Sequence, residues 1–74
     1  MSTKLFVLGP LQSYVGGKKE LDISPGQTVR EMLVSLDILP EAVALVSVNE
    51  ELQAKDYIIQ EGDAIRIMAV IGGG

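Results

Sequence analysis

Apolar residues recur along the chain in short runs closed by glycine, proline or acidic clusters, and the spacing within the runs shifts from two to three-and-four and back again. Residues 4–8, Lys-Leu-Phe-Val-Leu, are β-formers ended by Gly9-Pro10, which predicts a first strand. Leu5 and Val7 share one face, and Phe6 and Leu8 the other. A strand apolar on both sides is either covered on both or carries an adhesive outer face. Residues 11–17 read as a loop carrying Tyr14, and Gly16-Gly17 turn the chain into a second strand over 19–23, with Leu21 and Ile23 in alternation. These two strands are expected to pair as a hairpin.

The period changes at Ser24-Pro25-Gly26-Gln27, which is turn chemistry. Thr28-Val29-Arg30-Glu31 then fits a capping box, so a helix starts at Thr28. Val29, Met32, Leu33 and Leu36 make a one-sided stripe, with Arg30, Glu31, Ser35 and Asp37 on the wet side. The helix is expected to run about three turns and to stop at Leu39-Pro40, because a residue before proline is pushed out of the helical region. Residues 43–48 predict a third strand, and Asn49-Glu50-Glu51 a tight turn. Residues 52–57 read as a short edge strand and an irregular crossing. After the turn over 60–63, residues 64–70 predict the last strand, with Ile65, Ile67 and Ala69 facing the core and Arg66, Met68 and Val70 the outside. This order implies an α+β fold: a mixed sheet of about four or five strands with one helix packed across one face.

The chain has 74 residues, 47% hydrophobic and 22% charged, which suits one domain over residues 1–71 with a glycine tail at 72–74. No apolar stretch approaches the roughly 20 residues of a membrane span and no signal peptide is visible, so a cytoplasmic protein without a membrane partner is expected. There is no cysteine and no histidine. Thiolate nucleophiles, soft metal ligands and any side chain that titrates unperturbed near neutrality are therefore missing, which disfavours intrinsic catalysis and a bound metal. The same lack excludes a cysteine-ligated iron–sulfur cluster. A net charge of −4 argues against nucleic acid as a partner. Glu50-Glu51 and Glu61-Asp63 are acidic pairs in turns, without the surrounding pattern of a calcium loop.

Gly72-Gly73-Gly74 follow the last apolar run directly. Glycine is the residue most expensive to order, and it packs nothing. The glycines are either a frayed end or a carrier for their own carboxylate.

Together these residues resemble a known family, the ubiquitin-like β-grasp sulfur carriers of thiamine and molybdopterin biosynthesis. The resemblance spans nearly the whole chain. It rests on Thr28-Val29 with Met32-Leu33 opening the helix, Val48-Asn49 entering a turn, Gly62-Asp63 before the last strand and Gly73-Gly74 at the end. It implies that the carboxylate of Gly74 is adenylated by an E1-like partner enzyme, becomes a thiocarboxylate and passes sulfur to a thiazole- or molybdopterin-forming synthase. Met68-Ala69 stands where molybdopterin-type carriers often have Pro-Pro, which favours the thiamine type, while the long connection from Gly9 to Gly17 resembles the molybdopterin type. ATP and Mg²⁺ would come from the activating partner, since Gly16-Gly17-Lys18-Lys19 lacks the spacing of a phosphate-cradling loop. In this reading the chain is a carrier and a substrate, not an enzyme.

A tail of this kind contributes little affinity, so docking needs a surface elsewhere. Phe6, Leu8, Leu45, Met68 and Val70 are the candidate outer patch, with Arg66 beside them offering a planar donor fork to a partner carboxylate. Burial of the patch under residues 11–14 is the competing expectation. Two other functions stay open: a ubiquitin-like modifier joined through Gly74 to lysines, and a non-catalytic β-grasp interaction domain.

Overall fold

The computed structural model describes residues 3–69. Its elements are β1 (Lys4–Val7), a 3-10 helix (Gly9–Val15), β2 (Glu20–Asp22), α1 (Val29–Ser35), a 3-10 turn (Pro40–Ala42), β3 (Val43–Val48), β4 (Glu51–Gln53) and β5 (Ala64–Ala69). The strands form one five-stranded sheet in the order β2-β1-β5-β3-β4. β1 and β5 are parallel at its centre, and the other pairs are antiparallel. The expected mixed sheet with one α-helix is thus the observed architecture. No described helix is long and apolar enough to cross a membrane.

α1 begins where the sequence places it, because every donor of its first turn has an acceptor. Thr28 N–H donates to Glu31 Oε1 at 2.8 Å and Glu31 N–H to Thr28 Oγ1 at 3.0 Å, the reciprocal capping box. Val29 N–H and Arg30 N–H donate to the carbonyls of Tyr57 and Lys55 at 3.0 and 2.8 Å, so the irregular crossing after β4 serves as the rest of the cap. The helix has seven residues, two turns rather than the expected three, and it does not run on to Leu39-Pro40. Asp37 adopts the left-handed conformation at φ +60°. Its N–H donates to Val34 O at 3.0 Å, and Ile38 N–H donates to Leu33 O at 2.9 Å. This double closure satisfies the last carbonyls and turns Ile38 into the core, where it is 1% exposed. Burial of Ile38 ends the helix before proline has any say.

Three further differences from the expected elements appear. The first strand ends at Val7, leaving Leu8 outside the ladder, and the second narrows from 19–23 to Glu20–Asp22. Most of the expected loop over 11–17 belongs to a 3-10 helix, Gly9–Val15, with proline near its start, and Leu11 joins the core at 2% exposure instead of covering the outer face. The last strand is described as far as Ala69, so the expected Val70 falls outside the described residues.

β3 contains a register shift between Val43 and Leu45. Strict alternation would place Val43 opposite Val46 and Val48, on the face of Leu45. The bulge at Ala44 lets Val43, Val46 and Val48 all face inward and leaves Leu45 outside. The inner face of the sheet, led by Leu5, Val7, Ile65 and Ile67, packs with Val29, Met32 and Leu33 of α1 in one core cluster. Each such side chain contributes about 1.5–3 kcal/mol on full burial.

Candidate functional site

β5 lies between β1 and β3 and leads directly to residues 70–74. Val70 and the glycines Gly72, Gly73 and Gly74 lie outside the described residues. The site is therefore built on the outer face of the sheet at β5, the strand that precedes them in sequence.

The registers define that face. Glu20 is opposite Phe6, Phe6 opposite Arg66, Arg66 opposite Ser47 and Ser47 opposite Leu52, a single row across all five strands. The next row toward the tail pairs Met68 with Leu45. Leu8, two residues beyond Phe6, is 41% exposed and Leu45 46% exposed, while Phe6 and Met68 are half-buried and Arg66 is exposed. The fold brings together five of the six residues expected from sequence for this patch, and none of the five is fully buried. Leu52, which sequence reasoning did not include, is 69% exposed and extends the face to its edge. The signal for it was present. A two-residue turn at Asn49-Glu50 forces Val48 opposite Glu51 and Ser47 opposite Leu52, placing Leu52 outside.

Charge on this face is segregated. At the end remote from the tail, Lys4 Nζ reaches Glu20 at 3.0 Å and Asp22 at 2.9 Å across the β1–β2 ladder. The hydrogen bond to Asp22, then that to Glu20, holds the Lys4 ammonium above its ordinary pKa. The Arg66 guanidinium instead lies over the Phe6 ring, 5.8 Å from its centroid, within range of a cation–π contact. Among the described residues Arg66 has no ion pair.

Of the acidic pairs in turns, Asp63 alone has a structural role among the described residues. Asp63 is 6% exposed and accepts from Tyr57 OH at 2.7 Å, Gln60 N–H at 2.9 Å and Asn49 Nδ2 at 2.9 Å. Burial alone would raise its pKa, but these three donors hold the carboxyl below its ordinary value. The Tyr57 hydroxyl is pushed up, first by its hydrogen bond to Asp63 and then by burial. Asn49 Oδ1 in turn accepts from Ala64 N–H at 3.0 Å, so the two sequence pairs Val48-Asn49 and Gly62-Asp63 form one joint at the start of β5. Glu50, Glu51 and Glu61 are exposed. No three metal-ligating side chains converge among the described residues.

Comparison with known proteins places this geometry. A family model described as the ThiS family matches residues 5–74. The sulfur carrier protein ThiS of Escherichia coli (strain K12) is 34% identical over 58 residues, which cover 73% of this chain and 86% of that protein. The crystal structure of SAMP1 from Haloferax volcanii superposes with a TM-score of 0.71 at 18% identity, covering 100% of both chains. The solution structure of the Haloferax volcanii HVO 2177 protein gives 0.72 at 20% identity, covering 100% of this chain and 87% of that one. The fold is the ubiquitin-like β-grasp that the sequence implied, and with the family match reaching through Gly74 the chain belongs to the ThiS family of sulfur carriers.

Proposed function

We propose that this protein carries sulfur as a thiocarboxylate on Gly74, for the thiamine branch of sulfur-transfer chemistry. A carboxylate is a poor acyl donor until one oxygen becomes part of a leaving group. A Gly74 carboxylate oxygen attacks the α-phosphorus of ATP and releases pyrophosphate; a sulfur nucleophile then attacks the acyl carbon and AMP departs with that oxygen. ATP, Mg²⁺ and catalysis come from an E1-like adenylating partner, and the thiocarboxylate is consumed by a synthase such as thiazole synthase. The chain itself is the substrate.

The observation that carries this reading is the family match running through Gly72-Gly73-Gly74, directly after the central strand of the sheet. Three extended glycines reach about 10 Å and present no side chain to a narrow channel. Ordering them costs about 1–2 kcal/mol per residue, so affinity must come from the outer face with Phe6, Leu8, Leu45 and Met68. Because activator and synthase use one face, their binding is mutually exclusive, and a stable ternary complex on it would contradict this arrangement.

The test is intact mass after incubation with ATP, the adenylating enzyme and a sulfur source. Exchange of one oxygen for sulfur, located at Gly74, is the expected result. Unchanged sulfur transfer after deletion of Gly73-Gly74, or after one residue is added beyond Gly74, would overturn the proposal. An isopeptide bond from Gly74 to a lysine of another protein, without sulfur exchange, would replace it with the modifier reading.

A further inference from the structure

We infer that Arg66 is a specificity-determining residue of the docking face, and that the partner seated there presents an Asp or Glu carboxylate within an apolar surface. The inference rests on the docking role proposed for the face and adds the chemistry of what binds it.

Arg66 occupies the centre of the five-strand row, on the central strand, with Phe6 on one side and Ser47 on the other. An exposed arginine usually samples many rotamers, but here the Phe6 ring gives one face of the guanidinium a place to rest. Ser47 is small, so the opposite side of the fork stays open. Lys4, on the same face, is already engaged by two carboxylates. Among the described residues Arg66 is thus a positive charge without an ion-pair partner in the middle of a face that also holds Phe6, Met68, Leu45 and Leu52, on a chain whose net charge is −4.

The acidic groups of this face sit on its β2 edge: Glu20 opposite Phe6 and Asp22 opposite Lys4. The complement of this pattern is an apolar partner surface with a carboxylate at its centre and basic groups on the side that meets β2. Docking removes water from the centre first, where an unpaired guanidinium would be costly and a bidentate carboxylate compensates it. Arginine flanked by aromatic and aliphatic side chains is also a frequent composition of interface centres. A partner lacking the carboxylate is rejected by the desolvation of Arg66, which makes the residue a discriminator as well as an anchor.

The experiment measures adenylation of the full chain by its adenylating enzyme, with KM and kcat determined separately at low and high salt, for wild type, Arg66→Lys, Arg66→Leu and Arg66→Glu. Arg66→Glu is expected to raise KM by about tenfold or more with kcat unchanged; Arg66→Leu is expected to raise it less and to flatten its salt dependence, with Arg66→Lys between wild type and Leu. Thermal unfolding controls for folding, which an exposed site should leave unaltered. Arg66→Leu binding as well as wild type, or keeping the full salt dependence, overturns the inference and leaves the carrier function standing. Failure of the wild-type chain to be adenylated overturns both.

Discussion

Replacement of Asp63 by asparagine tests the joint at the start of β5. In the native protein Asp63 Oδ2 takes two donors, Tyr57 OH and Gln60 N–H, and Oδ1 takes Asn49 Nδ2. An amide has one acceptor oxygen. If it faces Tyr57 and Gln60, its NH₂ meets the Asn49 NH₂, and Asn49 cannot flip without losing the bond from Ala64 N–H. Each hydrogen bond to a charged group is worth about 1.5–3 kcal/mol, and an orphaned buried donor costs about 1–3. Partial rehydration of the exposed Asn49 lowers the sum, so Asp63→Asn is expected to lose about 2–3 kcal/mol at neutral pH. Domains of 74 residues have about 4–11 kcal/mol in all, so the effect is a large share. The Asp63 pKa is lowered in the folded state, so its contribution is fully present above the unfolded value of about 4 and disappears as pH falls through the lower folded value. Urea unfolding followed by circular dichroism from pH 7 to pH 2 should therefore show wild type and Asp63→Asn converging in acid. Equal midpoints at pH 7, or a gap that persists undiminished to pH 2, would refute the reasoning.

Tyr57→Phe should weaken stability at neutral pH and remove part of an alkaline decline. The Tyr57 pKa is raised on folding, so its contribution holds below the ordinary tyrosine value and is lost as pH rises through the folded one; alkaline urea titrations check this. Thr28→Ala removes one half of the capping box and should cost about 1 kcal/mol, read as a lower urea midpoint at unchanged slope. Glu50→Gly should gain about 0.5–1 kcal/mol, because Glu50 sits at φ +73° in a two-residue turn that glycine adopts without strain; a higher midpoint is the check.

The local signals in the sequence were strong where neighbours along the chain supply both halves of an interaction. Thr28 and Glu31 cap each other across three residues, and Asn49-Glu50 sets the β3–β4 register by turn geometry alone. The face containing Phe6, Arg66 and Met68 was legible for the same reason, since period-two alternation assigns a face without reference to anything distant. The Tyr57–Asp63–Asn49 joint was not legible, because its partners are up to 14 residues apart and each residue alone looks like ordinary turn chemistry.

By itself the chain determined the class of fold, the start of its helix, the outer position of Arg66 and the three glycines after its final apolar run. Those depend on backbone preference and short-range periodicity. Tertiary structure decided the end of α1, where burial of Ile38 closes the helix through Asp37, and the phase of β3, where the Ala44 bulge buries Val43 and exposes Leu45. It also decided that Leu11 serves the core and leaves the outer face open. In each case a hydrophobic side chain reaches the common core at the expense of a regular local pattern. That competition is settled only when the whole sheet and helix are in contact.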